Sequence, residues 1–393
     1  MDGVFHLLNP QALALVDSLP PYDPRGVEEL SRRLRAEGYE PDLVASALTQ
    51  QHLRARGEAK FGEDARRMLF TVAGVQQATR AVVADLHASR FARAGCRTVA
   101  DITSGVGADS MAFARAGLEV TAVEFDEVTA GCATHNLSVF PNAQVVNGDG
   151  LDIEFTDFDG VFADPARRGA RGRTFNPADY SPPFDRVLAI RNVVPNLGVK
   201  VAPGIAYPDL PEDAHVQWVS VNGDVVEAGL WFGALAARPG RSALIISDGE
   251  MVELVATDEP TSPVVPMTPV ELGRYIYEPD GAVIRSGGLH VLAGKLEAGP
   301  VSEGMAYLTG DTLLVGPLAT AFEVIEAMPI KKLKQYLRIH EVGSLEILKR
   351  GVDIVPDQFR KGLKLKGDRA ASVILTRLQG RHSAVVVKRL RRH

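Results

Sequence analysis

Apolar residues recur at spacings of three and four in LVDSL, VEELSRRLRAEG and ATRAVVADLHASRFARAG, with Gly and Pro scarce inside these stretches. That pattern predicts helices over residues 1 to about 90. From about residue 97 short β-rich runs alternate with helical ones: TVADI then SMAFARAG, EVTAVE then VTAGCATHNLSVF, then AQVVNG and GVFADPARRG. Alternation at this spacing predicts a parallel sheet with helices on both faces. Near the end, SLEILKRG, VPDQFRKGLKLKG, AASVILTRLQG and SAVVVKRLRRH read as strand, helix, strand, strand, a small α/β module. No repeat of fixed period interrupts the chain. The patterns divide it into a helical region at 1–90, an α/β domain at 91–260 and a smaller α/β region at 261–393.

Composition narrows the class. A chain of 393 residues is too long for one core. With 46% hydrophobic and 23% charged residues it reads as a globular protein, and no apolar run approaches the roughly 20 residues that span a bilayer. The N-terminus, MDGVFHLLNP, lacks a basic segment followed by an apolar core. Two cysteines, Cys96 and Cys132, make neither a disulfide framework nor a zinc site. A cytoplasmic location without metal or membrane is the expectation. The formal charge of -6 hides an asymmetry: from Ile330 to His393 there are 17 Lys and Arg against 5 Asp and Glu, a balance of +12, which leaves -18 for the rest. A solvated charged face would give the same count, but a basic module on an acidic body also suits holding a polyanion by its phosphates. Aromatics there are few, Tyr336 and Phe359, so no stacking platform is expected.

The candidate chemistry lies in the alternating region. In VADITSGVGADSMAFARAG an apolar strand, Thr98 to Ile102, runs into a loop with Gly105 and Gly107 and then a helix. Glycine there lets the backbone turn and approach a ligand, and the helix start offers free amides. The dinucleotide fingerprint GxGxxG is not met, because Ser110 takes the third glycine position and Asp109 would repel a pyrophosphate. Asp101, on the strand before the loop, suits a ligand with an ammonium group. Glu124 ends the second strand, where an acid accepts both hydroxyls of a ribose. Phe125 can lie against an adenine face, and Asp149 in VVNGDGLD ends the third strand near an adenine amino group. These three acids, at the ends of successive strands, converge on one crevice.

On DITSGVGAD, VEFD, NGDG and DPARR, over roughly residues 95 to 255, the chain resembles the class I S-adenosylmethionine-dependent methyltransferases. The resemblance implies a Rossmann-like domain in which Asp101, Gly105 and Gly107 surround the methionine part, Glu124 the ribose and Asp149 the adenine; Thr103 and Asp109 fall in the same cofactor loop. DPARR then takes the place of the active-site loop of nucleic-acid amino methyltransferases, and that makes Asp164 and Pro165 the catalytic candidates. The aromatic residue of that loop is replaced by Arg167, whose guanidinium, like that of Arg168, could stack on a base or hold a phosphate. DPARRG is also similar to the DPPR loop of RNA 5-methyluridine methyltransferases, but no cysteine nucleophile follows Cys132. Lys200 and Glu227, on later strand-like segments, could line the same crevice. GVQQATRAVVADLHASRF, VKVAPGIAY and GRYIYEPDGAVIRSGGL look like a bacterial group with a THUMP-like C-terminal domain, a domain type associated with RNA. The expectation is an S-adenosylmethionine-dependent methyltransferase acting on a base amino group in rRNA or tRNA. A non-catalytic RNA-binding or assembly protein with the same fold, or a small-molecule methyltransferase, are the alternatives.

Overall fold

The structure is a computed structural model and describes residues 10–166, 168–169, 172–173 and 180–390, with the backbone alone at 168, 169, 172 and 173. The chain falls into two compact units, residues 1–201 with 230–237, and residues 202–229 with 238–393.

The first unit opens with helices α1 (Pro10–Ser18), α2 (Val27–Ala36), α3 (Pro41–Phe61), α4 (Val72–Gln77) and α5 (Ala81–Arg93). Ala12, Leu15, Leu30, Leu34, Val44 and Ala47 close α1 to α3 around a small core. On α5 the buried positions Val83, Ala84, His87, Ala88 and Phe91 recur at three and four, so one face is turned inward and carries one polar residue, His87. The α/β part follows as β1 (Thr98–Asp101), α6 (Ala108–Arg115), β2 (Glu119–Glu124), α7 (Glu127–Leu137), β3 (Ala143–Asn147) and β4 (Gly160–Ala163). Two short strands, β5 (Arg168–Gly169) and β6 (Gly172–Arg173), then α8 (Phe184–Ala189) and β7 (Leu197–Val201), complete it. Among the described residues the order is β7-β4-β1-β2-β3, and every pairing is parallel. The carboxyl ends of the strands therefore share one edge, and the loops after β1, β2, β3 and β4 gather there. Phe91, Phe113, Phe162 and Trp231 fill the core under α5 and α6. Glycine is needed at 198, where a Cβ would stand 2.6 Å from the Trp231 ring.

The second unit contains β8 (His215–Val221), β9 (Asp224–Trp231, whose last two residues belong to the first unit), β10 (Gly240–Ser247) and β11 (Glu250–Thr257). β10 pairs parallel with β8 and antiparallel with β11. Then come β12 (Tyr275–Pro279), α9 (Gly281–Arg285), α10 (Leu289–Leu296), β13 (Gly299–Pro300), β14 (Leu308–Gly310) and β15 (Ala319–Pro329). The chain ends in α11 (Ile330–Ile339), β16 (Val342–Lys349), α12 (Pro356–Leu363), β17 (Arg369–Leu378) and β18 (Arg381–Arg389). Their seven strands form one sheet among the described residues, ordered β13-β14-β12-β15-β18-β17-β16. β18 returns antiparallel between β15 and β17, so the last strand joins the basic segment to the sheet that begins at Tyr275. Leu333 and Leu337 of α11 and Leu363 of α12 bury against Val373, Leu375, Ala384 and Val386 on one face. Phe322, Ile374 and Val385 are buried on the other.

Candidate cofactor and active site

β1 delivers Asp101 to the sheet edge, and the chain turns through Gly105 (φ 55°) and Gly107 (φ 87°), a left-handed conformation that side chains other than glycine resist. A Cβ at Gly105 would meet open space, so it is backbone conformation, not crowding, that calls for glycine there. Gly107 caps α6 without a side chain, which leaves the helix's first amides without a side-chain acceptor from the cap. Asp101 is 1% exposed; Ser110 Oγ donates to its Oδ2 at 2.6 Å and the Thr103 amide to Oδ1 at 3.4 Å. Burial, and after it the charge of Asp109, push the Asp101 carboxyl up to about 8. Beside it the buried Ser104 Oγ has no hydrogen-bond partner among the described residues.

Glu124 closes β2 with both oxygens in use: Oε2 accepts from the Gly105 amide and Oε1 from the Asp126 amide, each at 2.9 Å. Burial raises its carboxyl despite these bonds. Phe125 follows with its ring 79% exposed. Asp149 sits in the exposed turn after β3, where its Oδ1 accepts from the Leu151 amide at 2.9 Å. A Cβ on the next residue, Gly150, would lie 2.1 Å from the Ile102 carbonyl oxygen, so the Asp149 turn is pressed against the loop that follows Asp101. Asp101, Glu124 and Asp149 thus end three neighbouring parallel strands at one edge.

At the end of β4 the Asp164 amide donates to Thr103 Oγ1 at 2.5 Å, and Lys200 Nζ, from β7, donates to Asp164 Oδ2 at 2.6 Å. The same ammonium donates to Thr79 Oγ1 at 2.9 Å, Thr79 donates to Asp109 Oδ2 at 2.6 Å, and His87 Nδ1 meets Asp109 Oδ1 at 2.8 Å. Burial alone would raise the Asp109 carboxyl; the hydrogen bond and charge of His87, with Lys200 and Thr79, hold it below the usual range instead. Phe162 and Trp231 flank the His87 ring, with centroids 5.1 and 5.3 Å away.

The residues singled out in the sequence are therefore placed unequally. Asp101, Thr103, Gly105, Gly107, Glu124, Phe125, Asp149 and Asp164 come to one sheet edge. Asp109, 6% exposed, turns both oxygens toward Thr79 and His87, and Lys200, 5% exposed, reaches Asp164 from inside the fold. Pro165 is buried, and Ala166 is bridged to Ser181 by amide–carbonyl bonds of 2.7 and 3.0 Å. Arg167 lies outside the described residues, and Arg168 is described by backbone alone. Glu227 is buried on β9 in the second unit. Thr79, His87 and Ser110 were not legible as site residues. His87 did leave a signal, a lone polar position on the apolar stripe of α5. Among the described residues no group of His, Cys, Asp or Glu could hold a metal ion, and no helix is long and apolar enough to cross a membrane.

A parallel sheet of this order, with a glycine loop after its first strand and acids at its carboxyl edge, defines a Rossmann-like cofactor-binding class. Over 353 residues, 86% of this chain and 93% of the relative, the sequence is 34% identical to a protein of Mycobacterium tuberculosis named an uncharacterized S-adenosylmethionine-dependent methyltransferase, with the same figures in two strains. The chain belongs to the S-adenosylmethionine-dependent methyltransferases. Its fold is shared with the crystal structure of a candidate methyltransferase from Porphyromonas gingivalis W83, at a TM-score of 0.74 and 20% identity, covering 95% of this chain and all of that one. A THUMP domain-like family model matches residues 319–389, and a domain of unknown function matches residues 1–57.

Proposed function

We propose that the protein methylates an exocyclic amine of a base in RNA, and that the second unit's basic end holds that RNA. The observation that carries this reading is Asp164, 25% exposed in its side chain, held by Lys200 at 2.6 Å at the end of β4. When bound, S-adenosylmethionine supplies an electrophilic methyl group on a sulfonium. Asp101 would take the cofactor's ammonium, Glu124 its ribose hydroxyls, Phe125 and Asp149 its adenine, with Thr103, Ser104, Gly105 and Gly107 forming the loop around its methionine part. A buried carboxyl pushed up to about 8 fits that assignment, since a cationic partner would offset the cost of ionising it. Asp164 and the Pro165 carbonyl would accept hydrogens from the amine and aim its lone pair. A neutral amine needs no strong base, so positioning supplies most of the rate.

The THUMP domain-like match and the charge balance of +12 beyond Ile330 support RNA as the macromolecule. An RNA substrate and two buried, unbridged cysteines fit a cytoplasmic protein. The test is mass spectrometry of ribonucleosides from cells with and without the gene. Loss of one amino-methylated nucleoside is expected; an unchanged profile of rRNA and tRNA nucleosides overturns the reading.

A further inference from the structure

The sheet of the second unit opens between β17 and β18. β17 and β18 pair from Leu378↔Arg381 to Ser372↔Val387 and no further, although β17 begins at Arg369 and β18 continues to Arg389. Their outer ends are held by other neighbours: Arg369 and Ala370 stand opposite Val342 and Ser344 on β16, and Lys388 and Arg389 opposite Glu323 and Phe322 on β15. Between the diverging strands lies a cavity of about 500 Å³, lined among others by Tyr336, His340, Glu346, Arg369, Ser372 and Lys388.

The chemistry of its walls is uneven. Tyr336 and His340, at the end of α11, lie with ring centroids 4.1 Å apart and planes tilted by 32°, and give one aromatic side. Glu346 already receives Ser372 Oγ at 2.7 Å and the Arg389 guanidinium at 3.1 Å. Arg369 and Lys388 are exposed, and their side chains have no partner among the described residues; Glu323, opposite Lys388, pairs with Arg274 at 3.7 Å. An aromatic wall, a hydroxyl and carboxylate that can meet a base edge, and two uncompensated cations match a flat heterocycle carrying a phosphate. We propose that this cleft takes one unstacked nucleotide of a single-stranded RNA segment, its base against the Tyr336–His340 pair and its phosphate between Arg369 and Lys388. The proposal rests on the reading that RNA is the substrate.

The test uses the full chain and a short fluorescein-labelled single-stranded RNA of mixed sequence, with adenosine and uridine monophosphates and inorganic phosphate as competitors. Tyr336→Ala should raise Kd about tenfold, the scale of removing one base–aromatic stack, while Tyr336→Phe stays within about twofold. Arg369→Ser with Lys388→Ser should flatten the dependence of log K on log salt by about 0.7 for each phosphate that is no longer neutralised. Tyr336 also packs against the core beneath α11, so the exposed Arg369 and Lys388 substitutions keep the test valid if Tyr336→Ala fails to fold. Wild-type protein that binds the RNA while all these variants bind it equally well overturns the cleft and leaves the RNA reading standing. No binding by the wild type overturns both. Inorganic phosphate competing as well as the mononucleotides removes the base from the proposal.

Discussion

Lys200 Nζ bridges Asp164 Oδ2 at 2.6 Å and Thr79 Oγ1 at 2.9 Å, which ties the loop after β4 to the segment that enters α5. The charge of the lysine also acts on Asp109, whose bonded partners are Thr79 and His87. Two carboxylates in this cluster therefore have cationic or imidazole partners, while Asp101, beside them, has among the described residues a hydroxyl and an amide. That difference accounts for opposite shifts of two buried aspartates 8 residues apart in sequence: Asp109 goes down and Asp101 goes up.

Asp101 predicts a pH dependence of cofactor binding. With its carboxyl at about 8, the free protein carries it protonated at neutral pH, and an arriving ammonium favours the ionised form. Binding then releases a proton, and affinity rises with pH by up to about tenfold per unit between roughly pH 6 and 7.5. Calorimetry in buffers of different ionisation enthalpy should show that release, and Asp101→Asn should abolish both the release and the pH dependence. The sign for stability is opposite. A carboxyl whose folded pKa is raised contributes stability that is lost as pH climbs toward that pKa, so Asp101→Asn without cofactor should melt higher than wild type near pH 8.

Removing Lys200 should be costly for the fold. Lys200→Ala takes from Asp164 its 2.6 Å ion pair, and from Asp109 a nearby charge, by removing a cation that is itself 5% exposed, and breaking such a buried pair costs about 3–5 kcal/mol. Urea unfolding of Lys200→Met beside Lys200→Met with Asp164→Asn should recover part of the loss in the double variant. Equal stability of the two would show that the Asp164 pair contributes little.

Glu124 receives the Gly105 amide as well as its proposed ligand, so substitution acts twice. Glu124→Ala should weaken S-adenosylmethionine binding by about 1–3 kcal/mol, the scale for losing a charged acceptor. Glu124→Gln, which keeps one acceptor oxygen, should lose less. Titration calorimetry reads both, and unchanged affinity in the alanine variant would place the ribose elsewhere.

Asp164→Ala should cut methyl transfer by about a hundredfold or more while cofactor affinity changes little, because a misaimed amine loses much of the proximity advantage. RNA from cells lacking the gene serves as acceptor for a labelled methyl group. Since Lys200 loses one bonded oxygen in this variant and keeps Thr79, melting temperature is measured alongside; a slow but fully stable variant supports the positioning role, and normal turnover removes Asp164 from the reaction.

How much was legible in the chain can be judged from particular residues. The strand–helix alternation from residue 97 and the four acids at strand ends were readable, because side-chain period and loop position are local properties of the sequence. The closing strands β16 to β18 and α12 also fall where the alternating and helical runs put them. Pairing was not readable. The basic segment beyond Ile330 looks separable in composition, yet β18 stands between β15 and β17, so deleting it would strip two neighbours of their hydrogen bonds. Tyr336 looked isolated among few aromatics until α11 brought His340 beside it and the strands parted next to the pair.

The same division holds at the candidate site. Sequence by itself determined which residues reach the carboxyl edge of the sheet, since a parallel alternation leaves its loops no other place to go. Only the tertiary structure decided what each acid does there. Asp101 and Asp109 belong to one loop and helix start, and nothing local tells them apart. Asp109 meets His87 and Thr79, 22 and 30 residues earlier in the chain, while Asp101 meets no cation among the described residues, and the charge state of a buried carboxyl follows from such partners and from lost hydration, neither of which is written in its neighbours along the chain.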